Sequence, residues 1–356
     1  MLKNYFTLAL FFIFISNIHS QTTTIPDANF EQALIDLNID TDGTINQSIV
    51  TADVSSVLSI DIGYYNITDL TGIEDFTSLT TLICWANQLT SLDLSQNTAL
   101  EYLSCQQNQL TSLNVNGASA LIDIACNINL ISNLDVSQNT ALQVLSCGSN
   151  PLTSLNINGA NNLTLLSCGF TQLTSLNVSQ NTNLATLFCG DNPLTSLDVS
   201  QNVNLVSLWC NNNQLTSLNA KNGNNSLITT FNATNNTSLT CIDVDNEIDA
   251  NTGTGSYSTW SKDATATYSE DCIALGLDDV LLAKSITLYP NPVSEILTID
   301  SKIPLTKVEI YSLLGQKVKD INSGFNSISL YNLSKGIYIV RLQSENGFAT
   351  KKLIKQ

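Results

Sequence analysis

Residues Leu79–Ala99 read LTTLICWANQLTSLDLSQNTA, and the chain then repeats that stretch. Cysteines fall at Cys84, Cys105, Cys126, Cys147, Cys168, Cys189 and Cys210, at one constant step. Leucines open the copies at Leu79, Leu100, Leu121, Leu142, Leu163, Leu184 and Leu205, at the same step. A fixed period of this length is the mark of a solenoid, in which each unit buries its apolar face only against its neighbours. Within one copy, Leu82 and Cys84 alternate with outward-facing positions, and so do Leu92 and Leu94. That is strand periodicity twice per repeat, with Asn, Gln, Ser and Thr supplying the turns between. The predicted architecture is a β-rich solenoid of 21-residue coils carrying short parallel strands.

The pattern LxxLxCxxNxL resembles a leucine-rich repeat. The half-motif LTSLDLSQN restates it, so the spacing alternates ten and eleven residues, as in the short bacterial subclass. The resemblance covers seven copies from Leu79 to Ser226. An earlier coil carries Val57, Ile60, Ile62, Ile67, Leu70, Ile73 and Phe76. Its step from Val57 to Leu79 is one residue longer than the others, closer to the internalin-like form. The last coil, near Ile228 and Phe231, is also irregular, as terminal repeats that cap an array should be.

Asn87, Asn108, Asn129, Asn150, Asn192 and Asn213 share one repeat position, which Thr171 interrupts. An inward asparagine ladder that satisfies backbone groups at the turns explains the series without chemistry. The seven periodic cysteines occupy an inward position and are read as small hydrophobes rather than disulfides. Cys241 and Cys272 break the period and are predicted to pair with each other over the last coil.

The chain opens MLKNYFTLALFFIFISNIHSQ, with Lys3 ahead of an apolar core Leu8–Ile15 and Ser20 before a cut. Residues 1–20 are therefore read as a signal peptide, and the mature chain has no transmembrane segment. Residues 21–56 follow as an N-terminal helical cap, in which Phe30, Ala33, Leu34 and Leu37 keep helical spacing and Asp27 or Asn29 caps the start. The solenoid is assigned to 57–244, a C-terminal cap and linker to 245–284, and a separate tail to 285–356.

Asn38, Asp40, Asp42 and Gly43 match the opening of a calcium-binding EF-hand loop. Its closing acid is missing, since Ile49 holds the twelfth position. The segment is read first as an Asp-Gly turn between helix and first strand, with a weak calcium site near Asp40 and Asp42 as the lesser alternative, and no metal ligand is assigned.

The tail reads as about seven short alternating strands, the pattern of a small β-sandwich. Tyr289-Pro290-Asn291-Pro292, the Leu314-Gly315-Gln316 turn, Gly336-Ile337-Tyr338 with Val340-Arg341, and Lys351-Lys352-Leu353 resemble a type A C-terminal sorting domain of the type IX secretion system. The resemblance implies that the type IX machinery is a partner. It implies passage across the outer membrane, removal of the tail, and release or attachment at the cell surface.

Between Gln21 and Ala283 stand two lysines, Lys221 and Lys262, against 25 acidic residues; from Lys284 onward ten basic residues face five acidic ones. So acidic a body argues against nucleic acid and anionic membrane as partners. The only histidine, His19, lies in the signal peptide. No GxSxG, HExxH, phosphate-binding Gly loop or CxxC occurs, and the acidic pairs Asp245/Glu247 and Asp278/Asp279 lack the shaped cleft a glycosidase needs. The chain is read as a non-enzyme without cofactor.

What remains is a binding or adhesion module for a protein or glycan, or a passive surface coat. An ice-binding reading rests on Thr90, Thr111, Thr153, Thr174, Thr195 and Thr216, which are better explained as turn residues. The residue between the second Leu and the Cys of each copy points away from the core and varies: Ile83, Ser104, Ala125, Ser146, Ser167, Phe188, Trp209. The expected binding residues on this face are Trp85, Tyr102, Phe170, Phe188 and Trp209, because exposed aromatics beside polar groups mark binding hot spots; the competing reading packs Trp85 and Trp209 under the two caps.

Overall fold

The computed structural model of the chain describes residues 21–272, 286–312, 316–344 and 347–356. The expected signal peptide, residues 1–20 with His19, the Asp278/Asp279 pair and the Leu314-Gly315 turn lie outside them. The solenoid and the tail are two separate bodies of structure, each with its own core.

The first strand of each copy enters one parallel sheet of ten strands. It begins at Ser59–Asp61, runs through Thr81–Ile83, Tyr102–Ser104, Asp123–Ala125, Val144–Ser146, Leu165–Ser167, Thr186–Phe188, Ser207–Trp209 and Thr230–Ala233, and ends at Ser261–Lys262. Register is kept without slip, so Leu82, Leu103, Ile124, Leu145, Leu166, Leu187 and Leu208 lie side by side. All seven of these apolar residues and all seven periodic cysteines are buried in one continuous core.

The second half of each copy is less regular than its sequence suggests. Ser91–Asp93 pairs with Ser112–Asn114, and Asn133–Asp135 with Ser154–Asn156. Ser196–Asp198, Ser217–Asn219, Cys241–Asp243 and Thr267–Ser269 form a third group. Ser175-Leu176-Asn177 forms no strand at all. The expectation of two strands in every copy therefore fails here. Each of the three groups opens with an aspartate strand followed by an asparagine strand: Asp93 then Asn114, Asp135 then Asn156, Asp198 then Asn219. Asn177 follows another asparagine, Asn156, and has no aspartate rung beneath it.

Asparagine holds the turns. The Asn108 Oδ1 accepts from the Leu89 N–H at 3.0 Å, while its Nδ2 donates to the carbonyls of Cys84 and Cys105 at 3.0 and 3.1 Å. Asn129, Asn150 and Asn213 repeat the arrangement one coil at a time. At Thr171 the hydroxyl instead donates to Cys168 and to the Asn192 side chain. A second buried ladder, Asn97, Asn139, Asn181 and Asn202, donates to carbonyls of the preceding coil. The threonine hydroxyls of Thr111, Thr153 and Thr216 donate to the carbonyl one coil back, which makes them turn residues.

Both ends of the array are covered. The helix Ala28–Asp36 begins at Asp27, whose carboxylate accepts from the Asn29 and Phe30 N–H groups. Its buried Phe30 stacks on Phe76, 6.3 Å between centroids. Strand pairing continues past Val244, so the C-terminal cap contains one further irregular coil with strands Ser261–Lys262 and Thr267–Ser269. Trp260 stacks on Phe231 at 4.1 Å and donates its indole N–H to the Ile228 carbonyl. Cys241 and Cys272 are bonded to each other.

The tail folds into a three-stranded antiparallel sheet, Ile286–Tyr289, Ile296–Ser301 and Ile328–Ser329, and a four-stranded one, Leu305–Ser312, Lys317–Ile321, Gly336–Ser344 and Gly347–Lys355. Leu297 and Ile299 of the first sheet share a buried core with Val308, Ile310, Val340 and Leu342 of the second. Among the described residues no helix is long and apolar enough to cross a membrane.

Candidate functional site

Successive side chains of a strand point to opposite faces. Burial of Leu187 and Cys189 therefore turns Phe188 outward. The register then sets Phe188 beside Trp209 on the next strand. Their ring centroids are 6.1 Å apart at 47°, a tilted aromatic pair, and the Trp209 indole donates to the Ser207 hydroxyl at 3.2 Å. Trp209 keeps 38% of its surface open.

Beside this pair lies a groove of about 550 Å³. Its floor is made by Gly148, Gly169 and Gly190, each directly after a ladder cysteine. A Cβ on Gly148 would sit 2.7 Å from the Gly169 carbonyl, and one on Gly169 would sit 3.1 Å from that of Gly190. Three consecutive coils therefore present bare backbone here, where others carry Trp85, Gln106, Asn127 or Asn211. Ser146, Ser167, Asn127, Asn211 and Asp191 add hydroxyl, amide and carboxylate groups to the walls.

Phe170 completes the aromatic side of the groove, with 67% of its surface exposed. It stands at the bend after Cys168 with φ 55°, in the left-handed region. Its counterparts Ala86, Gln107, Ile128, Ser149, Asp191 and Asn212 do the same. A non-glycine residue there costs about 1–2 kcal/mol, and the buried asparagine that follows in most coils, with Thr171 in this one, ties the bend down. The periodicity of leucines and cysteines carries no signal for this backbone feature, so sequence reasoning missed it, together with the glycine floor.

The expected binding residues thus divide. Phe170, Phe188 and Trp209 meet at one groove. Trp85 and Tyr102 do not join them, since four strand spacings separate Tyr102 from Phe188, about 19 Å. Trp85 is half-buried against Tyr64, 4.4 Å between ring centroids, over the first coil. Tyr102 is 46% exposed on the strand between Thr81–Ile83 and Asp123–Ala125.

The thiols beneath the face are shut off from it. Burial pushes Cys84, Cys126, Cys168 and Cys210 up to about 12, and holds Cys105, Cys147 and Cys189 well above the ordinary 9.0. At neutral pH they are unionised packing groups, neither nucleophiles nor thiolate ligands. Among the described residues no three His, Cys, Asp or Glu side chains converge as a metal cluster.

Residues 287–356 match the secretion system C-terminal sorting domain family. A stretch of 74 residues is 39% identical to Internalin J of Listeria monocytogenes serotype 4b, covering 20% of this chain and 8% of that protein. Among solved structures, the functional domain of InlJ from Listeria monocytogenes, described as including a cysteine ladder, is similar at 22% identity and a TM-score of 0.49, with 95% of this chain and 99% of that chain covered. Internalin C2 of the same species is similar at 21% identity and a TM-score of 0.44, with 63% and 98% covered. With its stacked coils and its matched tail, the chain is a leucine-rich repeat solenoid with a buried cysteine and asparagine ladder, ending in a type IX sorting domain that directs it to the cell surface or the extracellular space.

Proposed function

We propose that the exported solenoid is a non-catalytic binding and adhesion module, and that it holds a protein or glycan on the outer face of the ten-stranded sheet. The observation that carries this reading is the groove walled by Phe170, Phe188 and Trp209 over a floor of bare glycine backbone. Exposed aromatic area next to hydroxyl and amide groups is the composition of a binding hot spot. Phe188 and Trp209 are not consumed by the C-terminal cap, whose aromatic cluster is built from Phe231, Tyr257, Trp260 and Tyr268. The opposite half of each coil carries uniform Asp, Asn and Ser turns, which suits a scaffold. The type IX machinery engages the tail, and the tail is removed after transit. An array of glycans and surface proteins, probed with the mature chain, tests the reading: retention of one ligand class supports it, and retention of none contradicts it.

A further inference from the structure

The loop after the N-terminal helix holds a charge that the protein does not balance. Asp40 retains only 5% of its surface, although the residues after it are exposed. Its Oδ1 accepts weakly from the Asp42 N–H at 3.3 Å. Its Oδ2 has no hydrogen-bond partner. Among the described residues, five buried side-chain oxygens share that condition. Four are neutral amides of the second asparagine ladder, and the fifth is this carboxylate. A buried carboxylate oxygen without donor or cation is expensive, so the site calls for a cation or a proton.

The surroundings favour a cation. Residues 21–56 contain six acidic side chains and no lysine or arginine, and the next basic residue in sequence is Lys221. Asp42, Glu31 and Asp53 lie close enough to raise the proton affinity of Asp40, after burial itself, which is the larger cause. Glu31 is occupied, since its carboxylate accepts from the N–H groups of Asn46 and Gln47 at 2.9 and 3.0 Å. Asp53 is tied to the loop by the Thr41 hydroxyl at 3.0 Å. This segment supplies no ammonium or guanidinium of its own to neutralise the cluster.

The donors are all oxygens, and their spacing is that of a calcium loop. Asn38, Asp40, Asp42, the Thr44 carbonyl and Asn46 fall at alternate positions. Gly43 makes the sharp turn between them, in the left-handed region at φ 67°. Asp42 already gathers the loop: its carboxylate accepts from the Thr44 N–H at 2.8 Å and from the Asn46 amide at 2.7 Å. The twelfth position is Ile49, which is core, so no bidentate acid closes the ring. We infer that the loop Asn38–Asn46 binds one calcium ion through the Asp40 carboxylate, with Asp42 and neutral loop oxygens completing the shell. This inference is independent of the aromatic groove. It takes up the lesser of the two readings of the Asp-Gly segment, because sequence could not show that Asp40 is buried without a partner. With two carboxylates and no closing acid, the affinity belongs in the extracellular range, about 10⁻⁴–10⁻³ M. That suits an exported protein.

The test is calorimetric titration of the mature, chelator-stripped chain with CaCl₂, using the metal alone as probe. One saturable site in that range is expected, with magnesium at least tenfold weaker. Asp40→Asn should weaken calcium binding at least tenfold, with Asp42→Asn as a second loop variant and Asp198→Asn, on the distant second strand, as an unaffected control. Far-UV circular dichroism shows whether each variant keeps its fold, and a folded Asp42→Asn that also loses the site supports the assignment even if Asp40→Asn unfolds. No saturable heat up to 10 mM calcium, or binding indifferent to both folded loop variants, overturns it.

Discussion

The Asn114 amide donates to the Asp93 carboxylate at 3.0 Å, one coil away on the second strand. Asn156 and Asp135 repeat the relationship at 3.1 Å. Both rungs lie between paired second strands, Ser91–Asp93 with Ser112–Asn114 and Asn133–Asp135 with Ser154–Asn156. Asp93 and Asp135 also accept from the N–H groups of Ser95 and Ser137, so each carboxylate braces its own turn as well as its neighbour. Asn114→Ala removes one rung and is expected to cost about 0.5–1 kcal/mol, measured by urea denaturation.

These carboxylates also set the acid limit of the fold. Hydrogen bonding from Ser95 holds Asp93 below the ordinary 3.8, and bonding from Ser137 does the same for Asp135. At Asp27 burial pulls the other way, but bonds from Thr68, Phe30 and Asn29 prevail and the carboxyl is again lowered. A group with a lowered folded pKa contributes stability that is present above its unfolded value and lost as pH falls through the folded one. Thermal unfolding temperature should therefore fall as pH is taken below about 4, and Asp27→Asn should flatten that dependence. An unchanged slope in the variant contradicts the assignment.

The cysteine ladder should be chemically silent. All seven periodic thiols are buried. Native protein at pH 8 is expected to leave them unlabelled by a thiol reagent, while denatured protein exposes all seven. Cys147→Ala should cost about 1–2 kcal/mol and keep the fold. Cys147→Asp should be far worse, because it places a charge between two coils. Equal tolerance of both would contradict the inward register.

Phe170 sits where stability and binding pull apart. Its left-handed backbone favours glycine, so Phe170→Gly should raise stability by about 1 kcal/mol. The same change removes one wall of the groove and should weaken ligand binding. Stability that falls instead would mean that the phenyl ring is a packing group.

The sorting tail has its own core and shares no period with the coils. Deleting residues 286–356 should leave a folded solenoid that is no longer delivered outside the cell. Surface delivery of the truncated protein, followed by antibody accessibility on intact cells, would contradict the role of the tail.

Much of this was legible in the sequence because a solenoid repeats its constraints. Leu82 and Cys84 had to be inward once their counterparts recurred at a constant step, and the Asn87 series followed from the same arithmetic. The outward direction of Phe188 and Trp209 came from strand alternation alone. What the repeats hid was whatever differs between coils. The glycine floor needs three neighbouring coils at once, and the Asp93–Asn114 rung depends on which coil follows which. The isolation of Asp40 depends on its burial and hydrogen bonding, which no pattern in the chain encodes.

The most direct measurement of the central claim pairs Phe188→Ser with Trp209→Ser in one protein. Its binding to the ligand retained by the unmodified chain is then measured beside a denaturation curve. The account predicts that the solenoid stays folded, since both rings stand outside the core, and that binding is abolished. Binding that persists at full strength in the folded double variant, or collapse of the solenoid itself, would contradict it.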